Sequence, residues 1–142
     1  MKLYFIFTKK GLAVILATVI TVLIIIGQIS TVNSGYIDGS TNEKRLEYLK
    51  SVGISANDTA VSVKQTRIPE RFDGIYSEYA GYMSESGFNI SDFCGKAVTH
   101  YAYSITDSPH KTANLLVFEN KIIAGDITDN LSGEITALAK DK

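Results

Sequence analysis

The sequence predicts an α+β domain carried behind one membrane-spanning helix, with an antiparallel sheet of about four strands packed by two helices on one of its faces. Three observations lead there. An uncharged, strongly apolar run lies near the start of the chain, helical apolar spacing appears twice in the middle, and period-two alternation dominates the C-terminal half. The resulting order, helix, strand, helix and then three strands, lacks the strict strand–helix alternation that builds parallel sheets.

The apolar run extends from Gly11 to Ile29, and no charged residue follows it until Asp38. A helix of about 19 residues rising ~1.5 Å per residue covers the ~30 Å of bilayer hydrocarbon. Lys2, Lys9 and Lys10 precede the run, so the positive-inside rule keeps residues 1–10 in the cytoplasm as a short tail and sends the rest across. A cleavable signal peptide has an apolar stretch of only ~7–15 residues ending at a small-x-small site, and Val32-Asn33-Ser34 is a poor version of one. The expectation is a cell-membrane protein anchored in the lipid bilayer through residues 11–29, single-pass, with its N-terminus cytoplasmic and its C-terminal domain extracytoplasmic. No cysteine lies at the end of the run, which excludes a lipoprotein-type anchor.

Beyond Ile37 the chain carries all 15 acidic residues against eleven basic ones, a net charge of −4. Nucleic acid and anionic lipid headgroups need a basic patch, so neither is an expected ligand. Cys94 is the only cysteine, which rules out an intrachain disulfide and suits a small buried hydrophobe. Asn57-Asp58-Thr59, Asn89-Ile90-Ser91 and Asn130-Leu131-Ser132 fit the glycosylation acceptor pattern, which matters only in a eukaryotic secretory pathway.

Residues 30–42 are rich in Ser, Thr, Asn and Gly and read as a tether to a domain over residues 43–139. Ser40 followed by Glu43 has capping-box spacing ahead of Leu46, Leu49 and Val52, and Gly53 suits the left-handed position that closes a helix. Thr59 to Arg67 alternates, with Val61 and Val63 on one face of a strand. Pro69 and Glu70 then start a second helix, whose Phe72, Ile75, Tyr76, Tyr79, Tyr82 and Met83 form one face; that stripe is expected to be core, and Gly87 ends the helix. Three strands follow as a meander: Ala97 to Thr106, Ala113 to Phe118 and Lys121 to Thr128, with Glu119-Asn120 as a tight hairpin between the last two. Leu131, Ile135 and Leu138 suit a short closing helix.

The combination Ile68-Pro69-Glu70-Arg71-Phe72-Asp73, Tyr76, Tyr79, Ser86-Gly87-Phe88, Gly95-Lys96, Tyr101-Ala102-Tyr103, Asn114-Leu115-Leu116-Val117 and Ala124-Gly125-Asp126-Ile127 resembles a family of small, membrane-anchored extracytoplasmic proteins from clostridia-like Gram-positive bacteria, known only as a domain of unknown function. The resemblance covers roughly Glu43 to Leu138. The chain departs from it at Ala124, where a second glycine is usual, and at Ala80, where asparagine is common. The family supplies no activity, cofactor or catalytic residue.

Candidates for chemistry are His100, His110, Asp92, Asp126, Asp129 and scattered serines. His100 sits mid-strand, where a structural histidine is the expected reading, and His110 beside Pro109 reads as a solvated loop. Two histidines on separate elements do not make a zinc pair. Gly125 to Asn130 alternates oxygen ligands but lacks the glycine and distal glutamate of an EF-hand, so Gly125 is read as permitting close packing or a bulge and Asp126 as bonding to a turn or helix end. No cofactor is expected. His100, Asp126 and Asp129 are the only candidates for a functional surface. The expected function is an extracytoplasmic protein-interaction or regulatory module that binds another envelope protein or peptide. The alternatives are a small cell-envelope hydrolase using His100 and Asp126, and a cell-wall saccharide-binding module, which requires exposed tyrosines.

Overall fold

The computed structural model describes residues 35–138, so the expected membrane span at residues 11–29 lies outside the described residues. Among the described residues no helix is long and apolar enough to cross a membrane. The fold is α+β: strands β1 (Ile37–Asp38), β2 (Ser62–Arg67), β3 (Ala97–Ile105), β4 (Ser108–Phe118), β5 (Lys121–Asp129) and β6 (Ile135–Ala137), with helices α1 (Asn42–Ser51) and α2 (Gly74–Glu85) and a 3-10 turn at Ile90–Phe93. All pairings are antiparallel, in the order β1-β5-β4-β3-β2, and β6 shares the outer edge of β5 with β1.

Among the described residues the sheet therefore has six strands where about four were expected. Ile37 and Asp38, expected in the tether, pair with Ile122 and Lys121. The closing helix is also absent, because Ile135 to Ala137 pair with Asp126 to Thr128. A helix there would leave the backbone groups of that half of β5 without ladder partners, and the strand satisfies them. Gly125 makes the arrangement fit: a Cβ on it would lie 3.1 Å from Leu138 Cδ1 and 3.2 Å from Leu115 Cδ2. That is close packing without a bulge at Gly125; the register shift falls between Leu116 and Val117.

Local signals at turns held and the first helix cap moved by one residue, whereas the expected start of the second helix failed. Glu119 and Asn120 both have positive φ, 45° and 68°, as a tight hairpin requires. Gly53 and Gly87 follow α1 and α2 in the left-handed region. The cap of α1 is Thr41 instead of Ser40, its Oγ1 accepting from the Lys44 N–H at 3.3 Å. α2 begins at Gly74 and not at Pro69. The ladder continues past Arg67, with Ile68 N–H donating to Lys96 O and Gly95 N–H to Ile68 O, which holds Ile68-Pro69 extended.

The two helices lie on opposite faces of the sheet, a correction to the single packed face. Directly paired antiparallel residues share a face and sequence neighbours do not. Ala102, Asn114 and Asp126 are paired in a row across β3, β4 and β5, so Tyr103 points the other way. α1 touches Tyr103 through Arg45 and Asn42, and α2 touches Asp126 through Tyr79. Covering both faces explains why β3 buries Val98 and Ala102 on one side and Tyr103 and Ile105 on the other, and why β5 is buried without a break from Ile122 to Asp126.

Candidate functional site

Each strand of the β3–β4–β5 meander carries a mid-strand polar side chain on the α2 face, and the register brings them together. Asn114 Nδ2 donates to Asp126 Oδ1 at 2.8 Å and to Thr128 Oγ1 at 2.9 Å, and Thr128 Oγ1 donates to Asp126 Oδ1 at 3.1 Å. His100 Nε2 lies 3.1 Å from Asn114 Oδ1. From above, the Tyr79 hydroxyl donates to Asp126 Oδ2 at 2.9 Å.

Donor–acceptor logic fixes the protons in this relay. A carboxylate only accepts, so the Asn114 amide must turn its NH2 to Asp126 and its oxygen to His100. That oxygen also only accepts, so His100 Nε2 carries the hydrogen of this bond. Asp126, 7% exposed, loses most of its water and gains three donors in exchange. Burial first, then the Asp126 charge and the hydrogen bond to it, push the ionisation of Tyr79 far above the usual tyrosine value, so Tyr79 remains a donor at neutral pH. The relay thus joins His100 and Asp126 through Asn114, and ties Asp126 to α2 instead of to a turn or helix end. Among the described residues His100 hydrogen-bonds through its ring to Asn114. The arrangement can orient an imidazole.

Asp129 stands apart from the relay. Its Oδ1 accepts from the N–H groups of Leu131 at 2.9 Å and Ser132 at 3.4 Å, and the Leu131 bond is the main reason its carboxyl is held below the ordinary value. The backbone bonds Gly133 N–H to Asp129 O and Asp129 N–H to Glu134 O close the same loop. His110, at 3.6 Å from Asp129 Oδ2, borders it. Among the described residues no three of His, Cys, Asp and Glu converge as metal ligands would.

That loop forms one wall of a groove whose other wall is α2. Gly133, Glu134 and Ile135 face Ile75, Glu78, Tyr79 and Tyr82 across about 420 Å³, within the range of small-ligand clefts. Tyr79 belongs to both features, lining the groove and bonding to Asp126. The aromatic stripe expected to be core divides here. Met83 is fully buried and Phe72 and Tyr79 are partly buried, but Ile75 is 80% exposed, Tyr76 54% and Tyr82 45%. Leu131 and Ile135 on the facing segment are also exposed. Only part of the helix reaches the sheet, because β6 and the 129–134 loop flank the remainder and leave the groove open.

The sequence reading reached His100 and Asp126 and missed Asn114 and Tyr79 as their links. The signal for Asn114 was present: successive strands of one meander, each with a mid-strand polar residue, on positions that antiparallel pairing can bring side by side. Scanned against protein-family models, curated proteins and solved structures, the chain matches none.

Proposed function

We propose that this chain is a single-pass membrane protein whose extracytoplasmic domain docks a polypeptide segment of another envelope protein in the groove between α2 and the 133–135 strand region. The observation that carries the reading is the exposure of Ile75 and Tyr82 on a helix whose Met83 is fully buried, with Ile135 on the facing wall. Apolar groups clustered along a groove mark a contact surface more often than isolated ones do. The placement rests on the apolar run Gly11 to Ile29 behind Lys9-Lys10.

Two experiments test it. Protease added to wall-stripped cells should digest the domain, and protection would refute the orientation. A photo-crosslinking residue at position 75 or 82 should trap a partner protein in living cells where the same probe at Lys64, on the sheet's edge strand, does not. Equal trapping at all three positions would refute the groove.

The exposed Tyr82 ring on the groove wall also favours a saccharide reading, since an open ring can stack on a sugar. The aliphatic Ile75 and Ile135 fit a peptide better. The chain has no tryptophan and 8 tyrosines, so a change in tyrosine emission on adding N-acetylglucosamine oligomers, abolished by Tyr82→Ser, would favour the sugar.

A further inference from the structure

Resting on the docking reading, we infer that the groove selects a cationic segment: a polypeptide stretch carrying lysine or arginine between apolar side chains. The two segments that form its walls have no basic residue at all. No lysine or arginine occurs between Arg71 and Lys96, and none between Lys121 and the end of the described residues. Glu78 lines one wall and Glu134 the other. Neither takes part in the two ion pairs found among the described residues, Lys44–Glu47 and His110–Asp129. Glu78 instead accepts from the Tyr82 hydroxyl at 2.9 Å, a bond that leaves its charge uncompensated.

A groove with apolar anchors and carboxylates on both walls offers complementary contacts to one kind of side chain. Lysine and arginine lay an aliphatic stem along apolar surface and present a charged head beyond it. Ile75, Tyr82 and Ile135 supply the surface, the tyrosine rings add a cation–π face, and Glu78 and Glu134 receive the head. Arginine, planar and able to stack on a ring while pairing with a carboxylate, fits best. The same charges oppose an anionic bilayer surface or polyanion, and give no advantage to a neutral sugar.

The test is to pan a random dodecapeptide library on the full chain in detergent micelles and measure the affinity of enriched peptides at low and high salt. Enriched sequences should carry lysine or arginine next to aliphatic or aromatic residues. Their affinity should fall about tenfold when Glu78→Gln and Glu134→Gln are combined, with a flatter salt dependence, since two exposed pairs are removed. Ile75→Ser should weaken binding whatever the salt. Neutral or acidic enriched peptides, or affinity untouched by the double glutamine variant while Ile75→Ser abolishes it, would overturn the cation preference and leave the docking reading standing. Binding indifferent to Ile75→Ser and Tyr82→Ser, or no enrichment, would overturn both. N-acetylglucosamine oligomers that displace the peptides and bind the double variant unchanged would assign the groove to sugar.

Discussion

The two helices use their residues in opposite ways. α1 carries five charged residues in ten, Glu43, Lys44, Arg45, Glu47 and Lys50, yet buries Arg45, Tyr48 and Leu49 against the sheet. α2 has two charges in twelve residues, Glu78 and Glu85, yet buries only Met83. The helix that looks more soluble is the better packed one. α1 achieves this by giving the Arg45 head partners inside: Nε donates to the Tyr103 hydroxyl and Nη1 to Gly39 O, both at 2.8 Å, and the guanidinium lies 3.7 Å from the Tyr101 ring centroid. α2 is fastened by the Tyr79–Asp126 bond and keeps apolar surface outside. Apolar composition therefore does not rank burial here, and the excess on α2 is surface left over from folding.

The sharpest way to break this contrast is in α1. Leu49→Ala, at a fully buried site, should cost about 2–5 kcal/mol in urea unfolding of the full chain, whereas Ile75→Ala in α2 should change stability little. A loss at Ile75 matching that at Leu49 would mean that α2 is packed as tightly as α1. Next in size, Arg45→Met should cost about 1.5–3 kcal/mol, because the lost charged hydrogen bonds outweigh the apolar area kept. A neutral result would mean that α1 is held by Tyr48 and Leu49 alone.

Smaller still is Tyr79→Phe, which removes one donor from Asp126 at a cost of about 1–2 kcal/mol. It also carries a pH signature. Tyr79 ionises in the unfolded chain near pH ~10 but far above that when folded, so its stabilisation is complete below pH ~10 and declines as pH rises beyond it. The wild type should lose stability more steeply than Tyr79→Phe above that pH, and equal slopes would deny the buried bond. Smallest of all, Tyr76→Ser should shift stability by no more than about 0.5 kcal/mol. Unfolding by Tyr76→Ser would return that ring to the core.

What was legible in the sequence was local. Glu119-Asn120, Gly53, Gly87 and the three meander strands are set by turn chemistry and alternation within a few residues, and all appear, although the middle strand begins five residues earlier than read, at Ser108, and takes in Pro109 and His110, which were expected in a loop. What failed was decided at a distance. Ile37-Asp38 and Ile135 to Ala137 become strands only because β5 offers them an edge, and nothing in those short segments favours a strand by itself. The face that each helix covers depends on a register that links Asn114 to Asp126, and the α2 stripe had the right period for a core face without revealing how much sheet remained for it. His100 and Asp126 could be seen singly; their connection through Asn114 required the pairing of three strands.

The edge shared by β1 and β6 bears on how the chain acquires its structure. The β3–β4–β5 meander pairs neighbours in sequence and can form early, since it closes only short loops. β1 and β6, from the two ends of the described segment, then meet side by side on a single strand. As the chain is made from its N-terminus, β1 is the first of these strands to emerge and must wait for β5, and the edge stays half open until Ile135 to Ala137 arrive. Until then β5 presents unpaired amides at Asp126 to Thr128, a template for pairing with another chain. Truncation just before Ile135 should therefore favour clumping over simple loss of one short strand, and arrival of Ile135 to Ala137 acts as the step that makes this edge of the newborn molecule safe among its copies.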